Sequence, residues 1–277
     1  MRFKLYRQHG ALNSAVIFDA FAKGVQRLGH QCVEDHEDVA VIWSVLWSGR
    51  MTKNREIYNQ CIASKKPIII IEVGNLHRNH TWRLSLNHIN SLGEFANNAD
   101  LDDMRPKKLN VCLRDRPDNT KSAILIACQH ADSLQWQGMP SMKTWTENTV
   151  KKIQSLCERK ITVRPHPRSL FIIDLPGVTL ERPKQIPGTY DNFDIDYNYH
   201  CVINHNSGPA VQAAIQGVPV LCDMSSLAAE LSFDWSQIDQ PTLPDRQQWF
   251  LRLCHTEWTV EEICQGIPLG RLISKIT

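Results

Sequence analysis

The sequence predicts an α/β protein of two domains facing a cleft, and three observations predict it. Apolar runs such as residues 38–47 (DVAVIWSVLW) and 67–73 (PIIIIEV) alternate with amphipathic stretches, the pattern of buried parallel strands joined by crossover helices. That rhythm breaks over residues 99–121, a charged and Pro-containing stretch, and restarts at Ser122. With 277 residues the chain is long enough for two domains of ordinary size. The expected domains are 1–110 and 119–277, each Rossmann-like, with the linker between them and the polar loops of both turned to the cleft.

The elements follow in order. Residues 3–6 read as a strand, and residues 15–28 carry Val16, Phe18, Phe21, Val25 and Leu28 at helical spacing. The run 38–47 is a strand apolar enough to be central, 53–64 an amphipathic helix, and 67–73 the next buried strand. Residues 75–98 depart from the rhythm: GNLHRNHTWRLSLNHINSLGEFAN is rich in Asn and His and poor in aliphatics. A polar loop after a core strand is read as a site. In the second half, 122–128 is a strand ending in Gln129 and His130, and about 142–157 a helix. Residues 161–164 and 178–180 are strands, 201–203 another, and 218–222 the last. From Asp245 on, the chain is helical, with Trp249, Leu253, Trp258, Ile263 and Leu272 as packing residues of the second domain.

Two strand ends carry anion chemistry. The strand 201–203 runs into Asn204, His205, Asn206, Ser207 and Gly208. Pro209 follows in the first helical turn, where a missing N–H is harmless, and Gly217 ends the helix. A Ser-Gly corner opening a helix presents unpaired amides and the positive end of the helix dipole. About forty residues upstream lies the run Arg164, Pro165, His166, Pro167, Arg168, whose arginines can grip phosphate oxygens bidentately. Two such strand ends in one α/β unit point to a diphosphate held by Arg164, His166, Arg168, His205, Asn206, Ser207 and Gly208. The polar ends of the flanking strands, Gln129 with His130 and Ser225 with Ser226, are expected to take the nucleoside and sugar. The letters of a metal-binding DxD pair occur at Asp194 and Asp196, but in a loop, and no metal site is expected.

Composition excludes several classes. The net charge of +2 gives no strong overall field toward nucleic acid, though it leaves room for a local basic groove. Nine cysteines are scattered without a CxxC pair, which fits a reducing cytoplasm better than a disulfide framework. No apolar run approaches the roughly 20 residues of a membrane span, and no signal peptide opens the chain. A soluble, cytoplasmic protein without membrane contact is expected.

The runs RPHP, HNSGPAVQAAIQGVPVLCD and SSLA resemble the donor half of GT-B glycosyltransferases. They are most similar to the capsule-polysaccharide type and to glycosyltransferase-like proteins of large tailed phages. NLHRNHTWRLSLNHIN, QHADSLQWQGMPS and VRPHPR resemble runs of marine-phage proteins of that kind. The resemblance spans most of the chain. It implies a nucleotide-sugar co-substrate, UDP-sugar being the expectation, held by the C-terminal domain without a resident cofactor, and an acceptor addressed by the N-terminal domain. Phage members of the wider class glycosylate 5-hydroxymethylpyrimidines, so the acceptor expected is double-stranded phage DNA. Asn75, Arg78, Trp82, Arg83 and Asn87 would then contact it, Arg78 and Arg83 at phosphates and Trp82 as a stacking ring. Glu72, ending the 67–73 strand beneath that loop, is the candidate base for the acceptor hydroxyl, or a buried acid that only orders the loop. His9, Asp19 and His130 stand in reserve. Three other readings stay open: a glycan acceptor, a UDP-sugar 2-epimerase-like enzyme, and a non-catalytic nucleotide- or nucleic-acid-binding protein. Epimerases of related fold carry Asp-Ser-Gly-Gly and paired glutamates where this chain has His205 to Gly208 and Gln212.

Overall fold

A computed structural model of the chain describes residues 1–97, 100–117, 121–189 and 192–276. In chain order the elements are β1 (Arg2–Leu5), α1 (Ala15–Arg27), β2 (Gln31–Cys32), β3 (Val39–Trp43), α2 (Asn54–Ala63), β4 (Ile68–Val73), β5 (Trp82–Leu86), β6 (Glu94–Phe95) and α3 (Arg105–Lys108). There follow β7 (Lys121–Ala127), α4 (Met142–Gln154), β8 (Ile161–Arg164), β9 (Val178–Leu180), β10 (Lys184–Gln185), β11 (Phe193–Asp194), β12 (Tyr199–Ile203), α5 (Gly208–Ile215) and β13 (Val220–Leu221). The chain closes with α6 (Gln247–Cys254), β14 (Glu257–Trp258), α7 (Val260–Cys264) and α8 (Ile267–Ile273).

Two compact units result: Met1–Val111 with Leu251–Thr277, and Cys112–Phe250. The chain passes from the first to the second inside the stretch expected as linker. Asn119, the expected first residue of the C-terminal domain, lies outside the described residues. One assignment is corrected. Residues 251–277 belong to unit 1, because β14 pairs antiparallel with β5 and Trp258, Ile263, Leu269 and Leu272 enter the unit 1 core.

In unit 1 the strands β2, β1, β3 and β4 lie parallel in that order, and β5 adds antiparallel to β4. Phe3, Val39, Val41, Trp43, Ile69 and Ile71 alternate toward α1, α7 and α8. The α2 crossover from β3 to β4 runs the other way from that of α1, which places α2 on the opposite face. The expected strand 38–47 ends at Trp43, since Ser44 takes a left-handed φ of 62°. The expected loop 75–98 contains β5, in which Trp82, Leu84 and Leu86 point into the core.

Unit 2 holds an all-parallel sheet in the order β9, β8, β7, β12, β13. Its strands therefore run 3-2-1-4-5 in chain order, the Rossmann-like arrangement expected. Ile124, Ile126, Val163, Cys201 and Ile203 form the core with Val150 and Ile153 of α4. The cap Ser141 accepts the Thr144 amide and starts that helix. Gly217, at φ 79°, ends α5 as expected: Val218 N–H reaches Ala213 O and Gly217 N–H reaches Ala214 O, a Schellman pair. Among the described residues no helix is long and apolar enough to cross a membrane.

Candidate functional site

In unit 2 the connections leave β7 and β12 in opposite directions, and open α/β sheets bind ligands outside the strand ends at such a point. Asn204 ties the two ends together. Its Nδ2 donates to Ala127 O (2.7 Å) and to Ser207 Oγ (3.0 Å), while its Oδ1 accepts the Ser207 amide (2.8 Å). Ser207 is the N-cap of α5 by backbone position, yet its side chain caps no amide of that helix. The helix therefore opens with Gly208 and a first turn whose amides the cap residue leaves unengaged, at the positive end of the dipole.

Around that opening the expected residues converge. Gln129 Oε1 accepts the Asn206 amide (3.2 Å), Asn206 Nδ2 donates to Ser225 Oγ (2.8 Å), and Ser225 Oγ donates to Asp223. Gln129 and Asn206 are 3% and 6% exposed, and Gln129 Nε2 and Asn206 Oδ1 are buried without a partner. One donor and one acceptor are thus left for a polar guest, and buried polar atoms of this kind call for one. His205 packs edge-on against Trp136 at 5.3 Å, and burial pushes its pKa below the ordinary value. Burial works against the nearby Asp223 carboxylate, but the Ser225 hydroxyl and amide outweigh it and hold its pKa low.

The loops after β7 and β8 also meet. The His130 and His166 rings stand edge to face at 5.0 Å, and Ala131 N–H reaches Ser169 Oγ (3.4 Å). His130 Nδ1 accepts the Asp132 amide (3.1 Å), and burial depresses its pKa. His166 Nδ1 accepts the Arg168 amide (3.1 Å), which shapes the turn carrying the Arg168 side chain.

Arg164 is placed differently from the expectation. Only 4% exposed, it donates to Glu181 from Nε (2.9 Å) and Nη2 (2.7 Å) and to Asp196 O (2.6 Å), between the rings of Tyr197 and Tyr199. Tyr199 donates to the same Glu181 carboxylate. The guanidinium anchors β8 to the end of β9, and only its Nη1 is left without a partner. Ser226 is fully buried, its Oγ accepting the Ala228 amide in a turn.

In unit 1, Glu72 takes the Ser44 hydroxyl on Oε2 (2.6 Å) and the Val73 amide on Oε1 (2.9 Å). Its register partner on β5 is Arg83, whose partner on β14 is Glu257. Glu257 is fully buried and orders the following loop: it accepts the Asn75 and Leu76 amides and the Thr81 hydroxyl. Gly74 is required there, since a Cβ would sit 2.3 Å from Glu257 Oε2. The acid that orders the loop is thus Glu257, 182 residues from Asn75 in sequence. Arg78 is exposed. Trp82 is not available for stacking: its ring lies in the core. Arg83 is buried beside two carboxylates, which corrects the expectation of a surface phosphate contact. Asn87, left-handed at φ 67°, offers Oδ1 to the Ile68 amide (3.4 Å) and finishes the β4–β5 pairing.

Three of these residues were not among the expected site residues. Asn204 had a signal, an Asn three positions before a Ser at a strand end. Glu181 and Glu257 had none, because each acts across a tertiary contact.

No protein-family model matches the chain, and no curated protein does. Solved structures do. The β-Kdo 2,4 transferase of KpsC from Thermosulfurimonas dismutans is similar with a TM-score of 0.57 at 12% identity, covering 100% of this chain and 98% of that one. The β-Kdo 2,7 transferase of KpsC from the same organism is similar with a TM-score of 0.48 at 14% identity, over 96% and 98%. AviGT4, a glycosyltransferase involved in avilamycin A biosynthesis, is similar with a TM-score of 0.34 at 10% identity, over 100% and 98%. The first likeness defines the class: an α/β fold of two Rossmann-like units, of the GT-B kind that the resemblance implies.

Proposed function

We propose that the protein is a glycosyltransferase that binds a nucleotide-activated sugar at the strand ends of unit 2 and passes the sugar to a hydroxyl acceptor addressed by unit 1. The observation that carries this is the convergence at the β7–β12 switch point. The uncapped first turn of α5, the unmet Gln129 Nε2 and the unmet Asn206 Oδ1 lie on one small network. Helix amides suit the phosphate, and a neutral donor–acceptor pair suits a nucleobase or sugar. The shared fold of a Kdo transferase supports a sugar as the transferred group.

On this reading the acceptor oxygen attacks the anomeric carbon as the bond to the phosphate oxygen breaks. The electron pair leaves on that phosphate, stabilised by the α5 amides and Arg168, and the acceptor proton passes to Glu72. Glu72 is half-buried and already accepts two hydrogen bonds, which hold its carboxylate in place. The UDP nucleotide, transfer without a metal, and the acceptor belong to the same proposal. A glycan hydroxyl is favoured over 5-hydroxymethylpyrimidine in DNA, because Trp82 and Arg83 are buried. Incubation with a panel of labelled nucleotide sugars, with oligosaccharides or hydroxymethylated duplex DNA, tests it. Label is expected in oligosaccharide, dependent on Glu72. Binding of no nucleotide sugar overturns the function, and transfer to DNA alone overturns the acceptor.

A further inference from the structure

The β5 strand carries a buried arginine in an unusual setting. Arg83 is 8% exposed, and its Nε is buried with no hydrogen-bond partner. Its register partners on both neighbouring strands are carboxylates, Glu72 and Glu257, so three side chains project side by side from the face that α2 covers. Both acids are engaged elsewhere, Glu72 by Ser44 and Val73 and Glu257 by the 75–81 loop. A few residues past Ser44, Trp47 lies against Tyr58 of α2 at 5.8 Å, and its Nε1–H is likewise buried without a partner. Two buried donors are thus unmet at the carboxyl ends of β3 and β4, where sheets of this type take ligands.

The charges select the guest. Two carboxylates stand against one guanidinium, so a third anion brought to Arg83 would meet net repulsion. A hydroxyl group suits both signs: its oxygen accepts from Arg83 or Trp47, and its hydrogen is given to Glu72. We infer that this face of unit 1 is a subsite for an uncharged polyol, with Arg83 and Trp47 as hydroxyl-reading residues beside Glu72. The subsite names the acceptor class of the transfer proposed above, an uncharged sugar, and as an acceptor site it rests on that reading.

Saturation-transfer NMR on the full chain tests it with methyl β-D-glucopyranoside, methyl β-D-galactopyranoside and methyl α-D-mannopyranoside, and with methyl β-D-glucuronide as the anionic counterpart. At least one neutral glycoside is expected to bind. Its affinity should fall at least tenfold in Arg83→Gln and in Trp47→Phe, the second removing one N–H from a ring that keeps its packing. The glucuronide should bind at least tenfold more weakly than the glucoside. Absence of binding by every neutral probe, affinity unchanged in both variants, or a glucuronide that binds as well as the glucoside overturns the inference. UDP-sugar binding is read on the same samples. Glycoside binding without nucleotide binding supports the polyol subsite and sinks the transfer reading, whereas the reverse sinks the subsite alone.

Discussion

Arg164 shows how a residue type misleads when its partner is hidden. An arginine closing a strand before Pro-His-Pro reads as an anion grip, yet here Glu181 and a backbone carbonyl hold it. Removing one partner of a buried pair leaves a charge without compensation, the costly case. Glu181→Gln is therefore expected to destabilise the fold by about 2–3 kcal/mol, below the fully buried range because the Glu181 side chain is 35% exposed. Urea unfolding measures this, with nucleotide affinity little changed in the fraction that stays folded. A variant as stable as the parent would show the pair to be ornamental.

At the scale of the element, the opening of α5 separates two uses of one helix end. The helix has no side-chain cap from Ser207, so an acid placed there can cap it and meet the dipole. Ser207→Asp should leave stability unchanged or raise it by about 0.5–1 kcal/mol. The same carboxylate occupies the position proposed for phosphate and repels it. Nucleotide affinity should drop at least tenfold while the melting temperature holds or rises. If affinity is kept, phosphate does not bind at this helix end. The segment 251–277 makes a matching case in unit 1. Glu257 supplies the hydrogen bonds of the 75–81 loop, and Trp258 with α7 and α8 closes the α1 face of the core. Truncation after Phe250 should leave unit 1 open to proteolysis at low protease, while unit 2 fragments persist. Equal resistance of both units would contradict this.

For the whole molecule, five histidines share one sign. His88, His130, His200, His205 and His255 all have pKa values depressed, burial being the first cause in each. Between the depressed folded values and the ordinary value of about 6.5, the unfolded chain binds more protons than the folded one. Stability therefore rises with pH in that window. It is complete above about 6.5 and is lost as the pH falls toward the folded values. The urea midpoint should decline as pH is lowered from about 7.5 to about 5.5, with His→Gln at position 130 or 205 reducing the slope. A flat or opposite profile would mean that these rings gain partners on protonation.

The sequence by itself determined the α/β alternation, most strand positions, and the corner from Asn204 to Gly208. These depend on local physics: runs of β-branched residues, turn chemistry, and a Pro inside and a Gly just past one helix. It also located His130, His166, Asn206 and Ser225 as polar strand ends, and the parallel topology then brought them together. Only the tertiary structure decided that β5 is a buried strand. WRLSL carries an Arg and a Ser on one face, and that face reads as solvent until Glu72 and Glu257 are placed beside it. It alone moved Trp82 into the core, assigned the terminal segment to unit 1, and gave Arg164 to Glu181. Each of those outcomes depends on a partner far away in the chain. Spacing in sequence encodes which face a residue shares, but not which distant residue will meet it there.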